Sequence, residues 1–128
     1  MFPIDFCHIP VSIIKRSAGR SAVAAAAYRS GTKLTNEWDG MTHDYTRKGG
    51  IVHAEIILPA HAPPEFADRS ILWNSVEQIE KARDSQLARE IEAALPRELS
   101  GEQQLALVRA YVKDNFVDKG MCADFAIH

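Results

Sequence analysis

Cysteine is scarce, long apolar runs are missing and positive charge is not in surplus, and each shortage removes a class of protein. The only two cysteines, Cys7 and Cys122, stand far apart in a chain of 128 residues and form no Cys-x-x-Cys pair. A disulfide framework or a zinc ribbon is therefore not expected; both lie in apolar stretches and read as buried free thiols of a reducing cytoplasm. The first residues contain Pro3 and Asp5 and no extended apolar core, so no signal peptide is expected, and no stretch is long enough to span a bilayer. There is no Gly-rich phosphate loop, no Ser-His-Asp signature, no zinc motif and no internal repeat. With 15 basic against 17 acidic residues the formal net charge is -2, which argues mildly against a nucleic-acid binder. Distribution matters more than the sum. Lys15, Arg16, Arg20, Arg29, Lys33, Arg47 and Lys48 cluster in the first half, and the acids concentrate between Glu65 and Glu102.

The local pattern predicts one α+β domain over residues 1–128, in the order β-α-(loop)-β-α-β-α-β, with an antiparallel or mixed sheet and helices packed mainly on one face. Residues 6–15 are β-branched and apolar and read as a strand made awkward by Pro10. Ser21 is a good N-cap for an alanine-rich helix from Ala22 to Arg29, and Gly31 suits its left-handed end. Residues 32–50 read as a loop or small hairpin, and Ile51 to Leu58 as a strand ended by Pro59. Asp68 can cap a helix over residues 69–83, with Leu72, Val76, Ile79 and Arg83 on one face. Gln86 to Leu95 alternates like a strand, with Leu87, Ile91, Ala93 and Leu95 on one face and Arg89 among them. Ser100 and Gln103 form a capping box for a helix to about Lys119, with Leu105, Val108, Val112 and Phe116 inward. Met121 to His128 is the last strand.

Strand alternation places Asp124 and His128 on one face of that strand, and Glu90 and Glu92 together on theirs. If the strands are neighbours, the four converge on a polar patch: an ordinary solvated sheet face, or a site for a divalent metal. Tyr28 is the large group on a helix of small ones. Its ring can be a core element with a wet hydroxyl, or its phenol can attack phosphorus. Tyr45, in the polar loop, is a competitor; Tyr111, on an amphipathic helix, reads as structural. His8, His43, His53 and His61 show no metal-ligand spacing and read as structural or solvated, although His53 alternates with Glu55.

The run KRSAGRSAVAAAAYRSG (Lys15–Gly31) resembles the tyrosine helix of MobA/MobL relaxases and TraA-type N-terminal domains. The resemblance continues through HDYTRKGGIVHAEIILP (His43–Pro59), the segment Asp68–Ser100 and GMCADFAIH (Gly120–His128). It implies the palm-like antiparallel sheet of the HUH endonucleases. It also implies nicking and rejoining of single-stranded origin-of-transfer DNA through a 5′-phosphotyrosine, with accessory proteins and a coupling protein as further partners. On this resemblance Tyr28 matches the nucleophile, and His128 the first of three histidines holding a divalent metal, magnesium or manganese. Glu90 matches a catalytic acidic position beside that metal, and Glu92 is a weaker candidate. Arg16, Arg20, Arg29, Lys33, Arg47 and Lys48 are the expected DNA contacts. The family's His-x-His pair lies beyond His128, so the chain is expected to continue naturally and to be inactive by itself. The rival reading is a non-catalytic single-stranded DNA-binding accessory module. A replication initiator is disfavoured, because such proteins usually place the tyrosine after the histidine pair.

Overall fold

A computed structural model of the chain describes residues 11–15, 21–80 and 86–128. The elements are β1 (Val11–Lys15), α1 (Ala22–Ser30), β2 (Lys33–Thr35), β3 (Thr42–Asp44), β4 (His53–Ile57), α2 (Arg69–Ile79), β5 (Gln86–Ile91), α3 (Gly101–Asn115) and β6 (Ala123–Ile127). Short 3-10 turns at Pro64–Ala67 and Val117–Lys119 precede α2 and follow α3. The expected α+β class and element order hold. Residues 6–10 of the expected first strand, Cys7, Arg16, Arg20 and Arg83 lie outside the described residues.

Among the described residues the strands form three antiparallel ladders, β1 with β5, β2 with β3 and β4 with β6. The expected loop or hairpin is the β2–β3 hairpin, closed in register Lys33↔Asp44 to Thr35↔Thr42. In the β4–β6 ladder Ile56 faces Asp124, and Glu55 faces Phe125. Opposite residues of an antiparallel pair share a side. Asp124 meets side chains of α1 and α2, so Ala54, Ile56, Asp124 and Ala126 face those helices. Glu55 turns the other way, where Arg109 of α3 reaches it.

α1 starts and stops where its local sequence dictates. Ser21 is extended and its hydroxyl accepts from Ala24 N. Gly31 sits at φ 67°, and its N–H returns to the Ala27 carbonyl. The alanines let the helix sink into the protein: Val23, Ala26 and Ala27 are wholly buried with Leu34, under Tyr45 and Trp73. A second cluster joins Ile14, Ala22 and Leu87, packed by Ala25, Trp73, Val76 and Ala88.

α2 keeps the expected Asp68 cap but not the expected face. Leu72 is buried and Val76 packs on the core, whereas Ile79 is 72% exposed. The inward positions include two polar residues, Asn74 and Glu77. The Glu77 carboxylate accepts the Ala22 N–H at 2.8 Å, at the positive end of α1. Asn74 accepts from Glu37 N and donates to Thr35 O, tying down the hairpin. Unpaired backbone groups at both places would be costly to bury, and satisfying them sets the rotation of α2.

β5 also departs from simple alternation. Ile14 pairs with Ala88 and Lys15 with Gln86, so Leu87 is the extra residue of a bulge. Leu87 and Ala88 both pack inward, and beyond them the phase is reversed. Glu90 shares the inward side of Ala88, whereas Arg89 and Ile91 are exposed. The expectation that Leu87, Arg89 and Ile91 share a face is corrected accordingly. The ladder ends at Val11↔Ile91, so Glu92 is exposed beyond the strand.

α3 carries both arms of the Ser100–Gln103 capping box. It stops at Asn115 rather than Lys119. Leu107 and Val112 are its buried residues, with Leu105, Val108 and Phe116 half-buried. Cys122 is a half-buried free thiol, and burial pushes its pKa up.

Candidate active site

Every residue of α1 is buried or half-buried except Tyr28, which is 55% exposed. The same small side chains that bring the helix against the core therefore leave one phenol at the surface. Two residues from the segment after β3 hold its ring. Tyr45 meets it edge-on, with centroids 5.2 Å apart and an interplanar angle of 89°. Lys48 places its ammonium 3.5 Å from the ring centroid and donates to the Tyr28 carbonyl at 2.8 Å. Tyr45 is half-buried against the core and so supports Tyr28. Tyr111 packs on Phe116 in a T-shaped pair 5.9 Å apart.

Beneath this surface lies an ion cluster that no short motif announces. Asp124, with its side chain 1% exposed, accepts from Arg69 Nε and Nη2 at 2.8 and 2.9 Å and from Trp73 Nε1 at 2.8 Å. Arg29 stands 3.7 Å from the same carboxylate and stacks 5.8 Å from the Trp73 ring. The cluster joins α1 and α2 to β6. It also changes two expectations. Arg29, expected to meet DNA, turns inward because the buried carboxylate attracts it. Asp124, expected in a metal-capable polar patch, is occupied by cations and an indole N–H. Lys33 and Arg47 are exposed and Lys48 is half-exposed; Arg16 and Arg20 lie outside the described residues.

The expected convergence of Glu90, Glu92, Asp124 and His128 is only partial. Glu90 is half-buried on the side facing the helices and Asp124 points the same way, whereas Glu92 is exposed beyond the strand. His128 is exposed and follows β6 with the alternation of Asp124 and Ala126. Among the described residues no three His, Cys, Asp or Glu side chains come together to hold a metal ion. The set therefore does not by itself fit a divalent cation.

On the opposite side, His53 Nε2 lies 2.8 Å from Glu55 Oε1, and Arg109 clasps the same carboxylate through Nε and Nη2. The Arg109 guanidinium holds Glu55 below the ordinary carboxylate range; His53 adds to this, and partial burial opposes it. His43 carries a buried Nε2 with no hydrogen-bond partner among the described residues.

This arrangement of exposed helix tyrosine and antiparallel ladders defines an α+β domain, and comparison with known proteins places it. The MobA/MobL family matches residues 20–128, and the chain belongs to that family. It is 47% identical over 131 residues to the conjugal transfer protein TraA of Rhizobium radiobacter, covering 94% of this chain and 12% of TraA. It is 49% identical over 121 residues to the mobilization protein MobL of Acidithiobacillus ferridurans, covering 94% of this chain and 31% of MobL. The chain thus spans well under half the length of either relative. A solved structure described as the molecular basis of vancomycin resistance transfer in Staphylococcus aureus superposes with a TM-score of 0.89 at 31% identity. That match covers 94% of this chain and 61% of the other. The relatives are conjugal transfer and mobilisation proteins. No helix among the described residues is long and apolar enough to cross a membrane.

Proposed function

We propose that the chain is the tyrosine-bearing part of a cytoplasmic conjugative relaxase, and that Tyr28 attacks the scissile phosphate of single-stranded origin-of-transfer DNA. The observation that carries this is the exposure of Tyr28, alone on a helix otherwise sunk in the core. A nucleophile on a rigid, anchored element keeps its position when a large substrate arrives. In the proposed step the phenol oxygen forms a bond to phosphorus and the bond from phosphorus to the 3′-oxygen breaks. The phenol proton is released, and the leaving 3′-oxygen gains one to become a hydroxyl. The phosphotyrosine keeps one phosphoester bond for one lost, so the strand can be resealed by the reverse reaction. Lys33 and Arg47, exposed near the end of α1, are proposed to follow the DNA backbone.

His128 is the proposed ligand for a divalent cation, magnesium or manganese, and Glu90 the carboxylate beside it. A single imidazole holds such an ion weakly, and the described residues supply no converging set of three donors. Accessory proteins of the transfer complex and a coupling protein are the proposed protein partners.

The test is a relaxase domain containing this chain, incubated with a single-stranded oligonucleotide bearing the nick sequence and with manganese. Wild type is expected to form a covalent adduct and Tyr28→Phe none, while both bind the oligonucleotide. An adduct that persists in Tyr28→Phe transfers the role to another tyrosine. Binding without any adduct in wild type supports the accessory-module reading instead.

A further inference from the structure

We propose that Lys48 is a positioning residue for the tyrosine, holding the Tyr28 ring in the orientation from which it attacks; this rests on the reading of Tyr28 as nucleophile. Tyr28 leaves more than half its surface open, so the core does not fix its side-chain rotamer. Among the described residues, Tyr45 forms a T-shaped pair with the ring and the Lys48 ammonium stands over it. At 3.5 Å from the centroid the cation is well inside the range where the ring quadrupole attracts it.

Lys48 is held in place from both ends. Its backbone N–H donates to the Tyr45 carbonyl at 2.9 Å, and Tyr45 N donates to the Thr32 carbonyl at 3.1 Å, next to the end of α1. Its ammonium donates to the carbonyl of Tyr28 itself. The following segment closes on the same helix end: Ile51 Cδ1 occupies the space that a side chain on Gly31 would need. A lysine on such a base restrains the ring through both its face and its own main chain.

An ordinary role for a lysine here would be to neutralise the C-terminal carbonyls of α1. That role needs the hydrogen bond to the Tyr28 carbonyl and does not need the ammonium over the ring. A role as a simple phosphate contact needs neither. The three roles differ in what a neutral donor at position 48 would do. Glutamine offers an N–H to the carbonyl but no cation to the ring, whereas arginine offers both.

The experiment compares Lys48→Gln and Lys48→Arg with wild type in a relaxase domain containing this chain. It measures DNA affinity by anisotropy and the single-turnover rate of adduct formation at saturating oligonucleotide. The expected result is an unchanged melting temperature, little change in affinity and a rate for Lys48→Gln lowered about 10- to 100-fold, restored by Lys48→Arg. A normal rate at saturation, whether or not affinity falls, overturns the proposal. So does a Lys48→Gln variant that melts early while its folded fraction reacts at the wild-type rate. A separate readout needs no DNA: the ε-methylene protons of Lys48 should resonate upfield through the Tyr28 ring current and return to the ordinary position in Tyr28→Leu. Absence of that shift overturns the contact itself. An adduct surviving in Tyr28→Phe, with the ring-current shift intact, removes the nucleophile reading and leaves the contact standing.

Discussion

Asp124 and Arg69, 55 residues apart, share a two-pronged ion pair at 2.8 and 2.9 Å beneath the tyrosine helix. The carboxylate is almost fully buried, with Trp73 Nε1 and the Arg29 guanidinium as its other partners. Removing one member of a buried pair leaves the rest without compensation. Asp124→Ala is therefore expected to destabilise the fold by about 3 kcal/mol, at the low end for such a deletion because both arginines keep partial access to water. Asp124→Asn, which retains an acceptor, should lose less. Urea unfolding followed by tryptophan fluorescence reads this directly, and an unchanged midpoint for the alanine variant would show the cluster to be dispensable.

Glu77 makes the corresponding contact at the other end of α1. It is 1% exposed and accepts the Ala22 N–H from across the helix interface. Glu77→Ala is expected to cost about 1–3 kcal/mol, because a buried donor loses its acceptor. Glu77→Gln keeps an acceptor oxygen and should cost less. Hydrogen exchange at the Ala22 amide is the sharper measure. Faster exchange in the alanine variant, well beyond any global loss of stability, is the expected outcome; equal protection would mean that Glu77 is not the partner of that amide.

Gly31 and Gly40 both adopt left-handed backbone, at φ 67° and 73°. An added Cβ at Gly40 would meet open space, whereas at Gly31 it would lie 2.3 Å from Ile51 Cδ1. Alanine at either site should cost about 1–2 kcal/mol for the backbone alone. Gly31→Ala should cost more, by whatever it takes to turn the end of Ile51 aside. Thermal unfolding of the two variants side by side tests the order. A Gly31→Ala variant as stable as wild type would contradict the left-handed C-cap.

Acid should act partly through Glu55. Arg109 holds its folded-state pKa below the ordinary value, so the unfolded chain binds the proton more readily than the folded one. The stabilisation from this pair is complete above the unfolded value, about pH 4.3, and is lost as pH falls through the depressed folded value. Arg109→Met should lower stability at neutral pH and flatten that part of the acid limb, with the two proteins converging at the acid end. Parallel acid profiles for variant and wild type would dismiss the pair as a source of pH dependence.

Element ends were legible in the chain because a cap is a contact between near neighbours. Ser21 binds Ala24 N, Asp68 binds Ile71 N and Ser100 binds Gln103 N, each three residues on. The alternation of the last strand was legible for the same reason, as was the family, whose long runs lie in order along the chain. Tertiary structure alone decided which face of α2 turns inward, because the backbone of α1 and of the hairpin needed Glu77 and Asn74 more than the core needed Ile79. It decided the phase of Glu90, through a bulge that depends on how β1 pairs. It turned Arg29 inward and drew Lys48 over Tyr28, partners 20 residues apart in sequence. In each case the deciding free energy is the satisfaction of a buried donor, carboxylate or ring by a distant group, and no local period encodes which distant group arrives.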